Sequence, residues 1–231
     1  MKPVFFREPV LYPLPDRSTD PELRASAAQF CRRAAELWHA AALIGRAEPG
    51  LLTQADREAA RRRGMAAGRR VLRDSPRGKA RIAFYRALSA DGVQSNPQSV
   101  KPERVWLLED RCGLADAYLR GLSDTALQYG AECWICPDPL RRERLEVVFL
   151  PGADAVFFSM NAVGAAEKEH GRHVHLDRIP DLERKQSMRS VMKDNQKLVT
   201  ALTRRAAEQL RNAEILLNLD ANTCAVKKLR L

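Results

Sequence analysis

The 231-residue sequence predicts an α/β fold in which a small, mainly parallel sheet is flanked by helices. One observation is a series of apolar runs with the length of buried strands, at residues 105–108, 132–136, 147–150 and 155–158. A second is the helical segment between the first two runs, because strand–helix–strand order is typical of a parallel sheet covered by helices. A third is the pair of long amphipathic segments on the two flanks, which we expect to form a stalk or a bundle.

Two helices are predicted before the sheet. Residues 18–22 supply a helix-start signal with proline at the first turn, and apolar residues then recur at steps of four and three up to Ile44. This first helix is expected to end within residues 45–50. The second helix is predicted from Thr53, as its cap, to about Asp74, and it carries many arginines but few large apolar residues.

The remaining elements divide the chain into three segments. Residues 81–87 are predicted to form one strand, followed by a loop through Gln98, and a helix is predicted from Leu114 to Tyr129. A third long helix is predicted from near Pro180 to about Leu217, where it would pack on the first helix. We therefore expect an N-terminal helical segment (1–78), an α/β core (79–179) and a C-terminal long helix with a tail (180–231).

The composition narrows the class of protein. No run of 18 or more apolar residues indicates a transmembrane helix, and charge and proline near the N-terminus argue against a signal peptide, so a cytoplasmic location is expected. The five cysteines are therefore predicted to be free thiols. The net charge of +10 is uneven, with 18 basic and 10 acidic groups in residues 1–100, 8 and 12 in residues 101–170, and 13 and 7 in residues 171–231.

The turn after the first buried strand is the natural place for a phosphate in such a fold, because backbone N–H groups and a helix N-terminus point there. A working phosphate loop needs small residues, a lysine for the outer phosphates, and Ser or Thr for magnesium. Residues 109–117 retain one glycine and no lysine, and they contain three carboxylates. Arg111, Cys112 and Gly113 are the candidate remnant of an anion-binding loop.

Four motifs carry a resemblance to a known family. They are the lead-in at 82–87 with Gly92, the strand at 129–136 with its Asp-Pro turn, the apolar-Pro segment at 145–151, and the strand at 155–159. Together, residues 81–161 resemble the C-terminal half of a little-characterised bacterial family of two-domain P-loop ATPase-like proteins. The first nucleotide-binding domain of that family is absent, and Ser159 stands where the family has an acidic Walker B residue.

The resemblance implies a degenerate P-loop NTPase. Phosphoryl transfer depends on the Walker A lysine and on a held Mg²⁺, and this sequence lacks the groups for both. Our leading hypothesis is a non-catalytic pseudoenzyme that acts as a binding or regulatory module, without a cofactor. The alternative is a divergent ATP-binding ATPase or kinase-like enzyme.

Two clusters are candidates for metal or redox sites. Cys133 and Cys136 are predicted to lie within a strand, where residues three apart face opposite sides, so we interpret them as structural thiols. His173 and His175 would share one face if residues 172–176 form a strand, near His170 and several carboxylates. We interpret these histidines as surface or structural groups and predict no metal.

The arginines of the second helix suggest a further alternative function. A row of cations can lie along a nucleic-acid backbone, and the candidate contacts are Arg61, Arg62, Arg69, Arg70 and Arg73. No aromatic residues are interleaved for stacking, so a solvated face, or one that pairs with the acidic middle segment or a partner, is preferred. Partner binding or self-association is expected through the long amphipathic helices.

Overall fold

The structure is a computed structural model that describes residues 7, 9–12, 20–46, 52–72, 77–95, 102–160 and 171–228. The chain divides into two compact units. The first is built mainly from Ala47–Arg86 and Ser95–Met192, and the second from Glu8–Arg46, Ala87–Gln94 and Lys193–Leu231. The three-segment division at residues 78 and 179 stays a prediction.

Eight strands are described. In chain order they are β1 (Ala80–Ile82), β2 (Arg86–Ser89), β3 (Gly92–Ser95), β4 (Arg104–Glu109), β5 (Cys133–Pro137), β6 (Leu145–Leu150), β7 (Ala155–Ser159) and β8 (Arg172–His175). Six of them form one sheet in the order β1-β5-β6-β7-β4-β8. β1 and β5 are parallel, as are β7, β4 and β8, and β6 is antiparallel to both of its neighbours. The prediction of an α/β fold with a mainly parallel sheet is confirmed.

The antiparallel strand has a local cause. Only four residues, Pro151–Ala153 and Asp154, connect β6 to β7, and Asp154 adopts a left-handed φ of 46°. A parallel connection needs a crossover of a dozen or more residues, so this link forces the chain to reverse. β4 and β5, joined by helix α3 (Ala115–Gln128), are therefore separated in the sheet by β6 and β7.

The prediction of one strand over residues 81–87 is wrong. The segment contributes to two different sheets, because β1 ends at Ile82 and β2 begins at Arg86. Between them Tyr85 is buried, with its ring centroid 5.1 Å from that of Phe158. β2 then pairs with β3 in a hairpin where Gly92 has a φ of 98°, so much of the expected loop is a strand. Residues 96–98 lie outside the described part of the chain.

The predicted helices are present with modest changes in length. They are α1 (Pro21–Arg46), α2 (Gln54–Val71), α3, and α4 (Leu182–Lys228), which extends beyond the predicted end at Leu217. Asp20 accepts the backbone N–H of Glu22 at 2.8 Å, and Thr53 forms a reciprocal capping box with Asp56. In the second unit Ala27 of α1 clusters with Ala213 and Leu217 of α4, while a stalk or bundle stays a prediction. None of the helices in the described ranges is long and apolar enough to cross a membrane.

Helices α2 and α3 approach each other closely because glycines lie at their contact. A Cβ added at Gly64 would lie 1.9 Å from the carbonyl oxygen of Tyr118, and one added at Gly121 would lie 2.2 Å from that of Arg61. Gly68 faces Thr125 in the same way, at 2.9 Å. This contact explains how α2 packs without large apolar residues. Together the two helices cover the sheet face that contains Leu108 and Phe157.

Substitution of Gly64 by alanine is expected to destabilise the first unit. Alanine is the better helix former by about 1 kcal/mol, but its methyl group would clash with the Tyr118 carbonyl and force the helices apart. We expect a net loss of about 1–3 kcal/mol in the free energy of unfolding, measured with urea. The exposed Ala66→Gly is the control and should lose about 1 kcal/mol through helix propensity alone. An unchanged or increased stability of Gly64→Ala would contradict the close contact.

Candidate functional site

The candidate site lies at the carboxyl edge of β4, β7 and β8. These strands are parallel, so their ends at Glu109, Ser159 and His175 meet at one edge of the sheet. In the sheet, β5 lies on the β7 side of β4, beyond β7 and β6. β8, which follows β7 in the chain, lies on the other side of β4. The strand order therefore reverses at β4, and α/β proteins place their ligand sites at such a switch point.

The turn between β4 and α3 is occupied by its own carboxylate. Asp110 Oδ1 accepts the backbone N–H groups of Cys112 at 3.0 Å and Gly113 at 2.8 Å, and Asp110 Oδ2 accepts that of Ala115 at 2.6 Å. Gly113 has a φ of 90°, a left-handed conformation that favours glycine and curls the turn around the carboxylate. Burial raises the pKa of Asp110, and the hydrogen bonds from the turn oppose that rise.

The other charged groups of the turn are also engaged. The backbone N–H of Arg111 donates to Asp177 Oδ1 at 2.6 Å, and its guanidinium lies 3.7 Å from the same carboxylate. Asp116 accepts from Arg120 at 3.0 Å and from the backbone N–H of Leu145 at 2.8 Å. The candidate anion-binding residues are thus brought together, but their N–H groups already have acceptors.

A histidine pair shares a carboxylate beside this turn. His173 and His175 lie on the same face of β8, because side chains two apart in a strand point the same way. The Nδ1 of His173 is hydrogen-bonded to Glu109 Oε1 at 2.6 Å, and the Nδ1 of His175 is hydrogen-bonded to Glu109 Oε2. The two imidazole rings are 6.4 Å apart between centroids. The hydrogen bond from His173 lowers the pKa of Glu109, against a smaller opposing effect of desolvation. Glu109 thereby joins the end of β4 to β8.

No group of three or more His, Cys, Asp or Glu side chains within the described ranges is arranged to hold a metal ion. His170 lies outside those ranges. Cys133 and Cys136 both lie in β5 and are buried in different apolar clusters, on opposite faces of the sheet. Burial raises the pKa of the Cys133 thiol to about 12 and that of Cys136 well above its usual value, which disfavours the reactive thiolates.

Sequence reasoning missed a buried ion pair between Arg86 and Glu146. The guanidinium donates two hydrogen bonds to Glu146 Oε2, at 2.5 and 2.9 Å, while Glu146 Oε1 is buried without a hydrogen-bond partner. Burial raises the pKa of Glu146 to about 7, although the Arg86 charge opposes the rise. The two residues lie 60 positions apart, so no local pattern indicates that they meet.

An open cleft of about 690 Å³ lies beside α2 and α3. Its lining includes exposed Ile82 and Leu127 together with four arginines and three acidic residues. Arg61 on its border is hydrogen-bonded to Asp124 of α3 at 2.7 Å.

The other predicted nucleic-acid contacts, Arg62, Arg69 and Arg70, are exposed on α2, and Arg73 lies outside the described residues.

No family model, no characterised protein and no solved structure matches the chain. The resemblance to P-loop ATPase-like proteins therefore stays a hypothesis that depends on the residues alone.

Removal of the Asp110 carboxylate is expected to destabilise the protein. Asp110→Ala leaves three backbone N–H groups of the turn without their acceptor, which should lower the free energy of unfolding by about 2 kcal/mol or more. Asp110→Asn retains an acceptor oxygen and should lose less. Asp124→Ala removes an exposed carboxylate from α3 and should cost about 1 kcal/mol or less. Urea unfolding of the three variants measures these losses. Equal free energies of unfolding for the three variants would disprove the proposed role of the Asp110 carboxylate.

The buried Glu146 should make stability depend on pH. Its pKa is about 7 in the folded protein and 4.5 as the ordinary value, so the folded state binds the proton more tightly than the unfolded chain. This contribution is complete below pH 4.5 and is lost as the pH rises to about 7, with a slope of at most about 1.4 kcal/mol per pH unit. Urea unfolding across this range should show the slope in wild type and in the exposed-site control Glu58→Gln.

Glu146→Gln should lack that slope. At pH 7 it should be at least as stable as wild type, because glutamine resembles the protonated side chain that the folded protein favours below its pKa of about 7. If Glu146→Gln keeps the same pH dependence as the control, another group is responsible.

Proposed function

We propose that this protein is a non-catalytic, P-loop-NTPase-like module that binds or regulates a partner and performs no nucleotide chemistry. The observation that carries the proposal is the Asp110 carboxylate, which occupies the backbone N–H groups of Cys112, Gly113 and Ala115. Such N–H groups are what a bound phosphate requires. A nucleotide would have to displace the carboxylate against the negative charges of Glu109 and Asp116 at the same turn.

The residues missing from the site support the same proposal. Residues 109–117 contain no lysine to neutralise transferring phosphate oxygens. Ser159 ends the neighbouring strand β7, aligned with Leu108 of β4, at a position where a carboxylate would hold magnesium through water. Without either group, the electrostatic stabilisation on which phosphoryl transfer depends is lost.

The long helix α4 supports a role in binding a partner. Among its described side chains it exposes three large apolar residues, Val191, Leu198 and Ile215. Single exposed apolar residues are normal at a protein surface, and a partner helix with its own apolar residues would bury them. A protein partner or self-association through this helix is therefore part of the proposal.

Calorimetric titration tests the proposed absence of nucleotide chemistry. We expect no saturable heat when ATP and Mg²⁺ are added to the wild-type protein. Asp110→Ala frees the N–H groups of the turn and should gain weak binding of inorganic phosphate, whereas the matched Asp124→Ala should not. Saturable ATP binding by wild type, with phosphate release that is abolished by Arg111→Ala or Asp116→Ala, would instead establish the divergent-enzyme alternative.

A further inference from the structure

Most carboxylates of the acidic middle segment are used within the first unit. Asp110 accepts hydrogen bonds from backbone N–H groups. Six further carboxylates of the segment are paired with arginine or histidine side chains. The pairs are Glu109 with His173 and His175, Asp116 with Arg120, Asp124 with Arg61, Glu132 with Arg81, Asp138 with Arg141, and Glu146 with Arg86. Apart from Arg61, none of the partners in these pairs belongs to α2. Among the residues that the structure describes, the acidic segment therefore forms no ion pair with Arg62, Arg63, Arg69 or Arg70.

The outer face of α2 is left with unpaired positive charge. Arg63, Arg69 and Arg70 are exposed and form no ion pair with any residue that the structure describes. Arg62 has only a long contact of 3.9 Å with Glu58, and both side chains are largely exposed to water. Surface pairs of this kind contribute little to stability, so Arg62 is also available to an external anion.

The four arginines are held in a regular array. The opposite side of α2 carries Gly64 and Gly68, which are packed directly on α3, so the helix is a firm platform. The arginines form two pairs of neighbours, Arg62 with Arg63 and Arg69 with Arg70. The pairs are seven residues apart, which corresponds to about 10.5 Å along the helix axis. The side chains between the pairs are small or, at Met65, partly buried.

We propose that this face of α2, defined by Arg62, Arg63, Arg69 and Arg70, binds the phosphate backbone of a double-stranded nucleic acid. The separation of the two arginine pairs is close to the width of the major groove of B-form DNA, about 12 Å, so each pair reaches the phosphates of one strand. Contacts of this kind are independent of base sequence.

Other polyanions fit this face less well. Single strands are bound through aromatic side chains on which bases stack, and α2 contains none. A helix that lies on an anionic membrane needs large apolar side chains to insert, whereas this face offers Ala66 between its arginines. This face of α2 is separate from the Asp110 turn, and none of its four arginines lines the cleft. The proposal therefore does not depend on the absence of nucleotide chemistry.

Fluorescence anisotropy with labelled DNA and RNA duplexes tests the proposal. Four phosphate contacts predict a slope of about −3.6 for the logarithm of affinity against the logarithm of salt concentration with B-form DNA, which is a loss of affinity of about 150-fold between roughly 50 and 200 mM salt. The double variant Arg69→Gln with Arg70→Gln should bind at least about tenfold more weakly at low salt and halve the slope. The DNA duplex should bind more tightly than the RNA duplex, because the separation of the arginines matches the major groove of B-form DNA and the A-form major groove is narrow.

The matched control removes the same charge from another surface. Arg204→Gln with Arg205→Gln alters two exposed arginines of α4 and should leave duplex binding within about twofold of wild type. Circular dichroism of both variants checks that the helices are intact. An equal loss in the two double variants, tighter binding of a single strand, or binding to phosphatidylserine vesicles without binding to duplex would each overturn the proposal.

Discussion

The Asp110 carboxylate is the interaction on which the arrangement of the sheet unit depends. The first N–H groups of an α-helix have no partner within the helix, and α3 has no side-chain cap at Leu114. Asp110 supplies the missing acceptor from the end of β4 and so fixes where α3 begins. The position of α3 then fixes α2, because their backbones meet at Gly64 and Gly121 with no room for a side chain.

The same geometry satisfies the backbone N–H groups of the turn from within the chain. Backbone N–H groups that converge on one point are costly to leave unsatisfied, so such a turn needs an acceptor. A carboxylate from the same loop is an effective acceptor, since it has no translational entropy to lose on binding. Gly113 provides the left-handed conformation that curls the turn around this carboxylate.

Local signals in the sequence predict where helices and strands lie more reliably than they predict which strands pair with each other. Apolar runs and caps indicate β4, β5, β7 and the start of α2, because these signals are local. The antiparallel orientation of β6 follows from the short link at residues 151–154, whereas the split at Tyr85 depends on pairing between distant segments, which periodicity does not encode. At the site, the sequence shows carboxylates that would repel a phosphate, and only geometry shows that Asp110 accepts the backbone N–H groups of the turn. Gly64 and Gly68, four apart on a helix, are the signal from which the α2–α3 contact could have been predicted.

The distribution of charge follows from the same internal pairing. A segment with a net negative charge suggests an acidic surface, yet Glu146 and Asp138 are buried with arginines and Glu109 is shared by two histidines. Charges that are paired in this way contribute little to the field outside the protein. Arg63, Arg69 and Arg70 are exposed and form no ion pair with any residue that the structure describes. A segment that is acidic in sequence therefore need not present an acidic surface, because its carboxylates are paired within the fold.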